Sequence, residues 1–189
     1  MPGAQWFEGA TLNYAEHIFR MTDNQSPAII FQNERQGPEQ ISWQTLNEQS
    51  AALAEFFRES GIKSGDRIAA FLPNTPHAIV AVLAAMRVGA VWSSCSPDFG
   101  ANSVADRFVQ IEPKILITVD GYTYGGKKFD KMETVREICQ QLTSLEKVVF
   151  IPYLNTTAQP SGLPNAMFWE KLMDQYGGAD THYFEQLPF

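Results

Sequence analysis

The strongest constraint on this chain is an alternation that begins at Asp66. Short apolar runs, RIAAFL (Arg67 to Leu72), AVWSS (Ala90 to Ser94), KILITV (Lys114 to Val119) and KVVFI (Lys147 to Ile151), alternate with stretches of helical spacing. Continuous apolar runs of this length read as strands buried on both faces. Pro76 to Val88 reads as a helix, with Pro at its first position and Gly89 just past its last. Asn102 to Ile111 aligns Val104, Phe108 and Ile111 on one face and stops before Pro113. Asp130 to Leu142 is a third helix, with Asp130 and Glu133 spaced as a capping box. Strands and helices in this order make βαβ units. The expected fold is α/β: a parallel sheet with helices on both faces.

Upstream, Gln5 to Arg20 reads as an extended lead and a short amphipathic helix, with Leu12, Ala15, Ile18 and Phe19 on one face. Pro27 to Gln32 and Gln40 to Trp43 read as a hairpin, its loop Asn33 to Glu39 carrying Gly37 and Pro38. Ser42 caps a helix running to about Ser60, followed by Gly61. The expected organisation is a lead and short helix (1–25), an α/β subdomain (26–151) and an irregular tail (152–189). The tail has one helical stretch, Phe168 to Tyr176, and ends on the apolar Leu187, Pro188 and Phe189. Chain termini are usually polar and solvated, so this ending reads as an interruption, with further protein expected beyond it.

Composition narrows the function classes. Of 189 residues, 44% are hydrophobic and 19% charged, which is a globular balance. The net charge of −7 argues against general affinity for nucleic acid or an anionic membrane. No apolar run approaches the roughly 18 residues of a membrane span, and Met1 to Arg20 lacks the layout of a secretory signal. Cys95 and Cys139, with no such signal, read as reduced thiols, hence a cytoplasmic protein.

Open parallel sheets bind ligands beyond the carboxyl ends of their strands. Two such loops stand out. SSCSPDFG (Ser93 to Gly100) offers three hydroxyls, a thiol and a carboxylate, either as a ligand wall or as a proline turn leading into the next helix. DGYTYGGKK (Asp120 to Lys128) has the Gly121–Gly126–Lys127 spacing of a phosphate-binding P-loop. However, Lys128 stands where a P-loop needs Ser or Thr, and Phe129 and Asp130 precede the helix. A milder reading keeps Lys127 and Lys128 as point charges for a ligand phosphate, and the plain alternative is an exposed glycine turn. Cys95 has no histidine at a spacing that would activate it; His17, His77 and His182 are scattered. Cys139 reads as packing, and Arg107 as the ion-pair partner of a local acid such as Glu112. No metal-ligand spacing and no catalytic residue are readable.

WFEGATLNYAEHIF from Trp6, SGDRIAAFLPNTPHAIVAVLAAMRVGAVWSSCSPDFG from Ser64, VADRFVQIEPKILITVDGYTYGGKKFD from Val104 and the closing FEQLPF carry a resemblance. Together they resemble the N-terminal part of the adenylate-forming acyl-CoA synthetases. WSSCSPDFG and DGYTYGGK point to the acetoacetate–CoA ligase branch. The resemblance implies a ligase that uses ATP, magnesium and CoA. A carboxylate attacks ATP to give an acyl-adenylate and pyrophosphate, and the CoA thiol then displaces AMP. It also implies that the family's phosphate loop follows FEQLPF and that the 189 residues alone are inactive. By position, Lys127 would hold a phosphate of the CoA nucleotide, with Lys128 beside it and Tyr124 where acetate-activating relatives carry arginine. Ser94, Cys95 and Ser96 would border the pantetheine arm. The implied partners are acetoacetate, ATP and CoA, with no nucleic acid and no membrane, and self-association through an exposed truncated edge. Two rivals stand beside this reading: a small NTPase using Gly121–Lys127, and a non-catalytic module binding a partner through Phe184 to Phe189.

Overall fold

A computed structural model describes residues 3, 6–20, 22 and 25–188. In chain order the elements are β1 (Thr11–Leu12), α1 (Tyr14–Arg20), β2 (Ile29–Asn33), β3 (Gln36–Ile41), α2 (Trp43–Glu59), β4 (Arg67–Phe71), α3 (Pro76–Arg87), β5 (Val91–Cys95) and α4 (Ala101–Val109). They continue with β6 (Ile115–Val119), β7 (Gly121–Tyr124), β8 (Lys127–Asp130), α5 (Met132–Gln141), β9 (Lys147–Ile151), β10 (Ala166–Phe168), α6 (Trp169–Tyr176) and β11 (Leu187–Pro188).

Five strands form one parallel sheet in the order β10-β9-β6-β4-β5. Each central strand alternates between two apolar layers. Ile68 and Ala70 of β4, with Ile115 and Ile117 of β6, pack with α2, α3 and α6. Ala69, Phe71 and Leu116 pack on the other face with α4 and α5. Strands buried on both faces explain why the sequence shows runs rather than polar alternation. The chain steps outward from β4 to β5 and then crosses back over β4 to β6. The crevice at such a reversal, beyond the carboxyl ends of β4 and β6, is where open α/β sheets take ligands.

The α2 start is as expected: Ser42 Oγ accepts the Thr45 N–H at 3.0 Å, and Gly61 beyond the C-cap has φ +79°. Other expectations are corrected. The β2–β3 connection is not the loop Asn33 to Glu39 but a turn at Glu34–Arg35. Asn33 Oδ1 accepts the N–H groups of Arg35 and Gln36, an Asx arrangement that closes the turn early. Gly37 and Pro38 therefore sit inside β3, in a two-stranded ribbon whose outer edge tolerates proline. Leu12 precedes α1 and pairs instead with Leu187 across β1 and β11. Helix α5 opens at Met132; Asp130 ends β8 and accepts the Met132 N–H, while Glu133 pairs with Arg136 rather than completing a capping box. Lys147–Ile151 is not the last strand, because β10 adds a parallel edge beyond it. Gln5 and Phe189 lie outside the described residues. Among the described residues, no helix is long and apolar enough to cross a membrane.

Candidate functional site

Both loops singled out in the sequence emerge at the carboxyl edge of the parallel sheet. Ser94 and Cys95 end β5, and Ser96 follows. With Pro73 and Asn74 from the β4–α3 loop, and Trp92, these three residues line a cavity of about 240 Å³. The Cys95 thiol is only 7% exposed, and Arg107 Nη1 lies 3.8 Å from its sulfur. Arg107 also covers the Phe99 ring at 4.6 Å. The expected pairing of Arg107 with Glu112 is not what the structure gives. Glu112 lies 4.0 Å from Arg67 instead, because the α4 turn carries Arg107 toward the β5 loop. Cys95 thus serves as a packed wall element. Burial pushes the Cys139 thiol up to about 12, so it stays protonated and inert.

The stretch Asp120 to Lys128 is not a phosphate loop leading into a helix. It is an antiparallel ribbon, β7 with β8, closed by Gly125 and Gly126 at φ +58° and +72°. Two central residues with positive φ make the tight hairpin turn for which Gly-Gly is suited. This removes the P-loop rival: Gly121 is locked in a strand, and helix α5 opens only after the ribbon has returned. The register pairs Tyr124 with Lys127, Thr123 with Lys128 and Tyr122 with Phe129. Side chains alternate along a strand, so Lys127 shares a face with Tyr124, Tyr122 and Phe129, and Lys128 takes the other face with Thr123. Tyr122 and Phe129 stack at 5.1 Å, and Tyr124 is 72% exposed. The lysine face is therefore also an aromatic face.

Residues not picked out from the sequence bring the two loops together. Lys131, just past β8, has its Nζ 5.7 Å from the Tyr122 ring centroid. The Ser96 hydroxyl donates to Asp98, and this bond, the residue's own amide and the nearby Lys131 hold the Asp98 carboxyl below the usual range. Burial, and then Asp98, push the Tyr122 hydroxyl up. Lys131 and Tyr122 thus place a cation beside the ribbon's aromatic face, and the Asp98 carboxylate of the β5 loop interacts with both only through its longer-range charge. No spacing rule links position 98 to 131, so only the fold could reveal it. The Gly-Gly between alternating residues was a readable hairpin signal.

A larger cavity, about 540 Å³, lies between the β2–β3 ribbon, the start of α3 and the loop after β9. Phe31, Arg35, His77, Tyr153 and Trp169 line it. His77 packs edge-on to Trp169 at 4.9 Å, and burial pushes its pKa down to about 4, so it is neutral. No sequence motif marks this cavity, whose walls come from distant segments.

The tail rival also loses ground. Phe184 packs against Phe19 at 6.3 Å, and Leu187 pairs with Leu12, so the described part of the apolar tail is already engaged.

Comparison with known proteins agrees with this layout. Acetoacetyl-CoA synthetase from rat (Rattus norvegicus) is 40% identical over 190 residues, which is 98% of this chain and 28% of that protein. Acetoacetyl-coenzyme A synthetase from Rhizobium meliloti (strain 1021) is 40% identical over 191 residues, 100% of this chain and 29% of that protein. Among solved structures, acetoacetyl-CoA synthetase from Streptomyces lividans superposes with a TM-score of 0.89 at 47% identity, covering all of this chain and 28% of that one. The chain thus spans about 28% of the length of such relatives. Residues 19–173 match the family described as AMP-binding enzyme. With the fold, the relatives and this match in agreement, the chain belongs to the AMP-binding enzyme family.

Proposed function

We propose that the chain is the N-terminal portion of a cytoplasmic ATP-dependent acetoacetate–CoA ligase and contributes the surface that receives CoA. The observation that carries this reading is that the β5 loop and the β7–β8 ribbon both emerge at the sheet's carboxyl edge, with Lys127 on the ribbon's aromatic face. Lys127 offers a phosphate a point charge beside the aromatic face of Tyr122, Tyr124 and Phe129. Ser94, Cys95 and Ser96 wall the cavity that would border the pantetheine arm. Lys128, on the opposite face, would contribute only through its longer-range charge.

The Gly121–Lys127 ribbon does not fit ATP and magnesium. The glycine spacing that suggested a phosphate cradle is closed as a ribbon, and its turn amides already bind a carboxylate. The proposed role of these residues is to bind and orient CoA, while acetoacetate activation rests on residues outside this chain. Self-association would run through the truncated edge that the chain's end leaves exposed.

The test is a CoA titration of the 189-residue chain followed by NMR shifts. Lys127→Ala should weaken binding about tenfold, as expected for loss of a charged phosphate contact. Lys128→Ala should have the smaller effect. Shifts indifferent to both substitutions would remove the site. The chain mixed with ATP, acetoacetate and CoA should yield no thioester, and thioester formation would overturn the assignment of the chemistry elsewhere.

A further inference from the structure

We infer that Glu34 is a positioning residue for the CoA surface: its carboxylate grips the tip of the β7–β8 ribbon and so fixes where Lys127 is presented. The inference rests on the CoA reading above.

In the two-residue turn at Gly125 and Gly126, both N–H groups point outward, away from the ribbon's own ladder. Successive outward amides of this kind form a small anion-binding concavity. Here the anion is internal. Glu34 Oε1 accepts the Gly125 N–H at 2.8 Å, and Oε2 accepts the Gly126 N–H at 2.7 Å. The partners lie 91 and 92 residues apart in sequence. The bonds hold the Glu34 carboxyl below its usual range, the Gly126 amide contributing most.

The gripping arm is itself fixed. The turn that carries Glu34 is closed by Asn33 Oδ1 on the Arg35 and Gln36 amides. Arg35 donates to the Tyr153 and Leu154 carbonyls at 2.6 and 3.2 Å and lies 4.9 Å over the Tyr153 ring. Asn33 Nδ2 donates to the Tyr153 hydroxyl at 3.1 Å. The same loop holds the ribbon's root, because Asp120 accepts the Leu154 and Asn155 amides, each at 2.7 Å. The ribbon is thus clamped at its root by Asp120 and at its tip by Glu34. Lys127 is the first residue after the gripped turn, so its direction follows from that grip.

The test uses the 189-residue chain and three measurements. Amide exchange at Gly125 and Gly126 should be slow in the wild type and fast in Glu34→Ala. CoA should bind Glu34→Ala about fivefold more weakly, the scale of having to order a released turn residue on binding. Glu34→Gln, which keeps one acceptor oxygen, should fall between the two. The melting temperature should barely move, because Glu34 is exposed; a purely structural role would lower it along with affinity. Unchanged CoA affinity in Glu34→Ala would overturn the inference. So would tighter binding in both variants, which would mark Glu34 as a competitor of the phosphate. If wild-type CoA shifts ignore Lys127→Ala, the CoA reading itself has failed, and the exchange arm still reports separately whether the grip exists.

Discussion

Two regions of this molecule are held by a single charged side chain bonded to backbone, with opposite signs and in opposite surroundings. At the end of α3, Arg87 is fully buried, and at the ribbon tip Glu34 is exposed. Arg87 donates to the carbonyls of Thr181 and Tyr183 at 3.2 and 3.3 Å, to the Asn47 carbonyl at 3.3 Å and to Ser50 Oγ at 3.1 Å. It also bonds the Asn47 side chain and lies 4.2 Å over the Phe184 ring. Beside it, Asn13 Nδ2 donates to the Met86 and Glu185 carbonyls at 2.7 and 2.8 Å. Burial, and then the neighbouring Arg58, push the Arg87 pKa down to about 10, which still leaves it charged at neutral pH. The difference teaches where a polar anchor carries stability. In a dry site each abandoned acceptor loses its partner outright, whereas in water the solvent replaces it. Arg87 fastens the tail to the body; Glu34 sets a geometry at little energetic consequence.

The largest expected effect lies at the buried anchor. Arg87→Met should cost about 3 kcal/mol in urea unfolding, because the buried Ser50 hydroxyl and several half-buried carbonyl acceptors lose their donor at once. A loss comparable to that of an exposed residue would erase the contrast. Acid tests a half-buried polar group, His77. Its folded pKa of about 4 lies below the unfolded value near 6.5. Between these values the unfolded chain binds the proton and the folded chain does not, so stability falls as pH drops through that window. The fall attributable to His77 should be on the order of 3 kcal/mol, and His77→Gln should flatten that part of the profile. A wild-type curve that is flat from pH 6.5 to 4 would count against a neutral imidazole packed on Trp169.

The ribbon root should respond less. A Cβ on Gly121 would meet the Phe129 carbonyl oxygen at 2.3 Å and Leu154 Cδ2 at 2.7 Å. Gly121→Ala should destabilise by about 1–3 kcal/mol and shift the ribbon amides in NMR spectra. The smallest stability effect belongs to Glu34→Ala, the counterpart of Arg87→Met. Its unfolding midpoint should stay near that of the wild type even as CoA affinity falls, and a large drop would place the tip among the structural anchors.

The sheet was legible because it is dominated by local pattern. RIAAFL, KILITV and KVVFI are apolar on both faces, and Pro76 with Gly89, and Ser42 with Gly61, punctuate their helices by local backbone preference. The β2–β3 turn departs from the Gly37–Pro38 signal because the Asn33 side chain closes the turn earlier. At the ribbon, the exposed glycine turn is the reading the structure bears out, while its strand pairing is not implied by a spacing shared with phosphate loops. At the proposed CoA surface, Ser94 to Ser96, Lys127 and Lys128 are legible as loop chemistry, and Tyr124 only through family resemblance. Lys131, Asp98 and Glu34 are not, since each acts across a long sequence interval.

The sequence by itself determined the alternation of strands and helices, the two-faced burial and the family, because these follow from residue periodicity and short motifs. Only the tertiary structure decided that Lys127 and Lys128 point to opposite faces, that Glu34 occupies the glycine turn and that Arg87 binds the tail. The physical reason is that main-chain donors and acceptors choose their side-chain partners by proximity in space, and proximity in space exists only once the sheet has brought distant segments together.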